Sequence, residues 1–173
     1  MNQGEESSAF TAGPSSAIGR AGESRAIEMT KVLLEGHGFS PSLRSAQDSR
    51  GEDKLLSIRG IDYNAQVTTI PDAPIFWRDA KQGSAVTVVT PEHAASWLQG
   101  GIQKKVQGMS AEQRSNTILI LDAHDWGDRL AKPEIVAYLS DSSTNPAEKH
   151  GLAGISIAGN SPSSSTWLGG TLR

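Results

Sequence analysis

The chain has no cysteine, which excludes disulfide bonds, thiolate metal sites and a thiol nucleophile. It also lacks any apolar run approaching the roughly 20 residues needed to span a bilayer, so a membrane is not an expected partner. The first twenty residues carry neither an apolar signal core nor a basic leader, and the expectation is a cytoplasmic, bacterial protein. No charge of one sign dominates. The formal net charge is −3 and the pI is near 5.8, so no global positive field advertises nucleic-acid binding. No Gly-x-Ser-x-Gly elbow is present, and His37, His93, His124 and His150 show no zinc-site spacing. Gly100-Gly101 falls within a helical pattern and forms no phosphate loop.

What is present is a chain of 173 residues, enough for one domain with a sizeable core. From Arg20 to Arg114 there are 12 Lys and Arg against 11 Asp and Glu, a net of +1, while both flanks are acidic. That balance permits a local basic groove. Residues 1–21, rich in Ser, Gly, Ala and Glu, read as a disordered arm. Residues 160–173 read as a tail whose Trp167 and Leu168 could dock on the core, leaving 22–159 as the α/β domain.

Within that domain, apolar positions at helical spacing predict a helix over 22–36, closed by Gly36-His37-Gly38. Strands follow over 39–47, 53–59 and 65–70, the last two forming a hairpin whose turn runs from Gly60 to Asn64. A short extended piece is expected at 85–89. Thr90, Pro91 and Glu92 then give the start signals of a second helix. The continuous run Thr117-Ile118-Leu119-Ile120-Leu121 marks a strand covered on both faces. A short helix over 133–139 and a strand over 154–158 complete the order.

The stretch 51-GEDKLLSIRGIDYNAQVTTIP-71 carries the chemistry-bearing pattern: Asp53 opens one apolar run, and Gln66-Val67-Thr68 lies on the next. Together with the order helix, three strands, helix, strand, it resembles the PD-(D/E)xK nuclease superfamily over residues 22–121. The resemblance implies a three-layer α/β sandwich with a mixed central sheet and a restriction-endonuclease-like αβββαβ core. It puts Asp53 at the family's first acidic position, Gln66 at the second carboxylate and Thr68 where the family has Lys. Glu28 takes the helical acid, with Glu23 as its rival. So aligned, Asp53, Glu28 and the Val67 carbonyl would hold Mg²⁺ or Mn²⁺, and the substrate would be DNA or RNA. A metal-held water attacks phosphate in such sites, and the Lys stabilises the charge that develops. Thr68 brings no cation, so Lys31 or Lys81 would have to replace it. These departures open a second reading, an inactive nuclease-like fold that binds a protein partner or serves as an adaptor.

Other residues carry paired readings. Asp53 and Gln66 also fit an ordinary strand opening and an exposed strand position. Arg78 and Lys81, beside Phe76 and Trp77, suit phosphate contact, although the two aromatics fit packing over the sheet better. Lys104 and Lys105 suit nucleic-acid phosphates or a solvated helix face. Asp122, His124 and Asp125 form either a metal site of a small hydrolase or an acidic loop tip at a strand end.

Overall fold

In the computed structural model of the chain, the described residues are 14–45, 54–70, 90–124, 130–140 and 143–173. Helix α1, Pro14–Gly36, buries Ala26, Ile27, Thr30 and Leu34, the stripe that helical spacing predicts. It begins at Pro14 rather than Gly22, inside the segment expected to be an arm. Its end is a glycine-stopped Schellman turn. The Phe39 N–H donates to Leu34 O and the Gly38 N–H to Glu35 O, with Gly38 at φ +84°.

Three antiparallel strands follow: β1 (Ser42–Ser45), β2 (Lys54–Ile58) and β3 (Ile61–Thr69). The β2–β3 turn is Arg59-Gly60 alone, both at positive φ (52° and 80°), which is the type I′ geometry that matches strand twist. The longer turn expected through Asn64 does not form. Asp62 and Asn64, read as turn residues, are instead polar positions of a strand, alternating with the buried Tyr63 and Ala65. The Arg59 guanidinium lies 5.2 Å from the Phe39 ring centre, tying the hairpin turn to the end of α1. The expected extended piece at 85–89 lies outside the described residues.

Helix α2, Pro91–Val106, starts as its sequence demands. Thr90 caps it by accepting from the His93 N–H, with Pro91 and Glu92 in the first turn. Helix α3, Ala111–Ser115, opens on a full capping box between Ser110 and Gln113. Then come β4 (Thr117–Asp122), α4 (Pro133–Leu139), α5 (Pro146–His150) and β5 (Gly154–Ala158). A 3-10 turn at Pro162–Ser164 leads into β6, Thr166–Gly170. The segment expected as a tail therefore supplies a strand, with Leu168 buried on one face.

The sheet is six-stranded, open and mixed, in the order β1-β2-β3-β4-β5-β6. Strands β3, β4 and β5 run parallel, and the remaining neighbours pair antiparallel. Helices cover both faces. On one, α1 packs with Leu56, Ile58, Tyr63, Ala65, Ile118 and Ile120. On the other, α2, α4 and α5 pack with Leu119, Leu121, Ile155 and Ile157. Every residue of β4 is buried because alternate side chains meet different helical layers.

One polar tie crosses the α1 layer. Thr30 Oγ1 donates to Ala26 O at 3.0 Å and lies 2.7 Å from Ser156 Oγ, both residues fully buried. A hydroxyl has one hydrogen, so Ser156 must be the donor in the second bond. Thr30→Val strands that donor beneath α1. It should lower unfolding free energy by about 1–3 kcal/mol in urea denaturation, and adding Ser156→Ala should recover part of the loss. A double variant no more stable than the single one would show that the pair is not a coupled bond.

Candidate functional site

Strand alternation splits the residues that the sequence groups together. Tyr63, Ala65 and Val67 belong to the α1 side of β3, so Gln66 and Thr68 face the α2 side. Thr68 is only 7% exposed. The backbone of α2 passes close over it at Gly101: a Cβ there would overlap Ile70 Cδ1 and come within 3.7 Å of Thr68 Cγ2. Gly101 permits that approach because it has no side chain. Gln66 is half-buried opposite Leu119, and Val67 lies opposite Ile120 with its side chain against the α1 layer.

Glu28 stands on α1, exposed, with its carboxylate 3.7 Å from Lys31 Nζ one turn on. The sheet therefore separates it from Gln66 and Thr68. A Mg²⁺ ion needs charged oxygens around one point. Gln66 is neutral, Thr68 is buried under α2 and Glu28 belongs to the other face, so these residues with the Val67 carbonyl do not make such a point. Among the described residues no group of three or more His, Asp or Glu is placed to hold a metal. Asp53, Arg78, Lys81 and Asp125 lie outside the described residues.

Lys104 and Lys105 occupy the last turn of α2, Lys104 exposed and Lys105 half-buried. Cations there complement the negative end of the helix dipole.

At the opposite end, Asp122 closes β4. Arg25 Nη2 of α1 approaches its carboxylate at 3.8 Å, and the His124 N–H donates to Oδ1 at 3.2 Å. Its main-chain carbonyl accepts from the Ile70 N–H at 2.9 Å, while the Ala123 N–H donates to Ala158 O. Carboxyl ends of parallel strands are where α/β folds build sites, yet here the carboxylate is already matched by a guanidinium. Asp122 thus ties the ends of β3 and β4 to α1, and Ala123 beside it ties β4 to β5. Arg25 has no local signature that would reveal this role, since its partner is almost a hundred residues away. Elsewhere, Tyr138 OH of α4 donates to Glu92 Oε1 of α2 at 3.3 Å, and the Glu92 charge holds the phenol above its usual 10.0.

The Asp122 reading makes a graded prediction. Arg25→Ala removes a nearly half-exposed cation at 3.8 Å and should cost at most about 1 kcal/mol, less at high salt. Asp122→Ala also strips the acceptor of the His124 N–H and should cost about 2 kcal/mol or more. Equal losses in denaturant titrations would reduce Asp122 to a simple ion-pair partner.

Compared with known proteins, the chain matches no family model, no curated protein and no solved structure. Its functional reading rests on element order and on the residues themselves.

Proposed function

We propose that the chain is a restriction-endonuclease-like domain directed at nucleic acid, acting by binding rather than by cleavage at Gln66-x-Thr68. What supports the fold part is the order α1, β1-β2-β3 meander, α2 and then β4 parallel to β3. What carries the functional part is the burial of Thr68 beneath Gly101. The family position that presents a cation to the scissile phosphate is here occupied by an uncharged side chain under a helix. Without that cation, and with a neutral Gln66, neither charge stabilisation nor a strongly held metal is supplied at this point. The surface cations Lys104 and Lys105 suit phosphates without reading sequence.

The test uses labelled duplex DNA, single-stranded DNA and RNA with Mg²⁺ or Mn²⁺. Binding followed by fluorescence anisotropy should weaken with salt, and replacing both Lys104 and Lys105 by Ala should flatten the salt slope by about 1–2. Divalent-dependent cleavage that disappears in Asp53→Ala would overturn the non-catalytic reading. Absence of any binding would overturn the nucleic-acid reading.

A second variant probes the observation itself. Thr68→Lys restores the family's residue type but forces an ammonium under α2. It should reduce unfolding free energy by about 2 kcal/mol or more and bring no cleavage. A stable, cleaving Thr68→Lys protein would show that the position opens to solvent.

A further inference from the structure

We propose that the junction of α3 and α5 is an oxyanion site, in which Arg114, Lys149 and His150 receive a phosphate group. The geometry begins with the backbone. Arg114 O accepts from the Ala153 N–H at 3.2 Å, which holds the end of α3 against the chain just past α5. Helix α5 stops at Gly151, in the left-handed region at φ +69°, and Leu152 N–H turns back to Ala147 O. His150, the last helical residue, is thereby brought to the Arg114 side of the sheet, at the amino ends of β4 and β5. Arg114 at the end of α3 and Lys149 with His150 at the end of α5 therefore lie on neighbouring chain segments.

Arg114 supplies the second observation. Its Nε is buried and has no hydrogen-bond acceptor among the described residues. A buried donor of this kind is unfavourable until an acceptor arrives. Arg114 as a whole is only half-buried, so a turn of its side chain would bring the Nε–H and a neighbouring Nη–H out as a planar fork suited to two oxygens of one phosphate. His150 senses both cations: burial, then the Lys149 charge, then the Arg114 charge push its imidazole below the usual 6.5. The acids of the same helices, Glu112 and Glu148, are solvent-exposed. An incoming phosphate, carrying about −1.5 to −2 near neutral pH, reverses that balance and favours protonated His150. The site stands at the end of the sheet away from Asp122 and does not depend on the reading of Gln66 and Thr68.

The experiment follows the His150 ring proton by NMR as a function of pH, in sodium phosphate and in sodium chloride of matched ionic strength. In chloride the midpoint should lie below 6.5, and in phosphate it should move up. Arg114→Gln should raise the chloride midpoint by removing one cation, and weaken the phosphate response by about tenfold or more. Lys149→Gln, at an exposed position, keeps the test alive if the Arg114 variant fails to fold. A midpoint indifferent to phosphate, or a response unchanged in both variants, would overturn the site. Short oligonucleotides with and without a 5′-phosphate identify the source. A response to the phosphorylated form alone assigns a terminal phosphate, a response to both assigns the backbone, and a response to inorganic phosphate alone assigns a free anion.

The same imidazole sets a pH dependence of stability. Because its pKa is lowered by folding, the unfolded chain binds more protons between the folded value and 6.5. Stability in chloride should therefore fall as pH drops through that window. The slope should shrink in His150→Gln, as read from denaturant midpoints across pH.

Discussion

The arrangement depends on the burial of β4 from both sides. Its six residues are all inaccessible, so Ile118 and Ile120 need one helical layer while Leu119 and Leu121 need another. Neither layer alone would remove the strand from water, and its unpaired backbone would be left in contact with solvent unless β3 and β5 flanked it. Supplying both layers requires α1 before the meander, and α2 and α4 in the connections that lead into and out of β4. The parallel run β3-β4-β5 follows from those connections, since parallel neighbours cannot be joined by a tight turn. The antiparallel strands β1, β2 and β6 extend the sheet outward, and between β2 and β3 a two-residue turn suffices.

A sheet buried in this way is also a partition. Side chains one residue apart on β3 enter separate compartments, and a helix can serve only one of them. Glu28 on α1 and Thr68 under α2 are kept apart by that geometry more firmly than by distance along the chain. The close passage of α2 at Gly101 then removes Thr68 from solvent. Any chemistry at Gln66 must work without either neighbour, and it is this separation that turns the reading from cleavage toward binding.

The sequence displays the local constraints openly. Gly38 at a helix stop, Thr90-Pro91 at a helix start and the unbroken apolar run of β4 each announce their structure through short-range physics. Misreadings occur where a residue type serves two purposes. Asp62 and Asn64 carry turn chemistry, but they are also what a half-buried strand places on its polar positions, and Arg59 showed no preference for the positive φ that it adopts. Strand β6 was hidden because Gly169 and Gly170 weaken its pattern. Yet the ring of Trp167 lies over Gly154, and small residues there are what make room for it. The candidate site was less legible than the fold, because Arg25–Asp122 and Arg114–His150 are brought together only by tertiary packing. Asp53, on which the resemblance leaned most, falls outside the described residues.

Charge is distributed between the two ends of the parallel strands in a way that follows from the helices. Helices α3 and α5 end only a few residues before β4 and β5, so their last turns lie near the amino ends of those strands. Last turns favour cations, and α2, α3 and α5 carry Lys104 with Lys105, Arg114, and Lys149 with His150 in theirs. Among the described residues, Arg114, Lys149 and His150 thus lie just ahead of β4 and β5, at helix ends where cations are favoured. At the carboxyl end of β4, among the described residues, Asp122 has Arg25 at 3.8 Å.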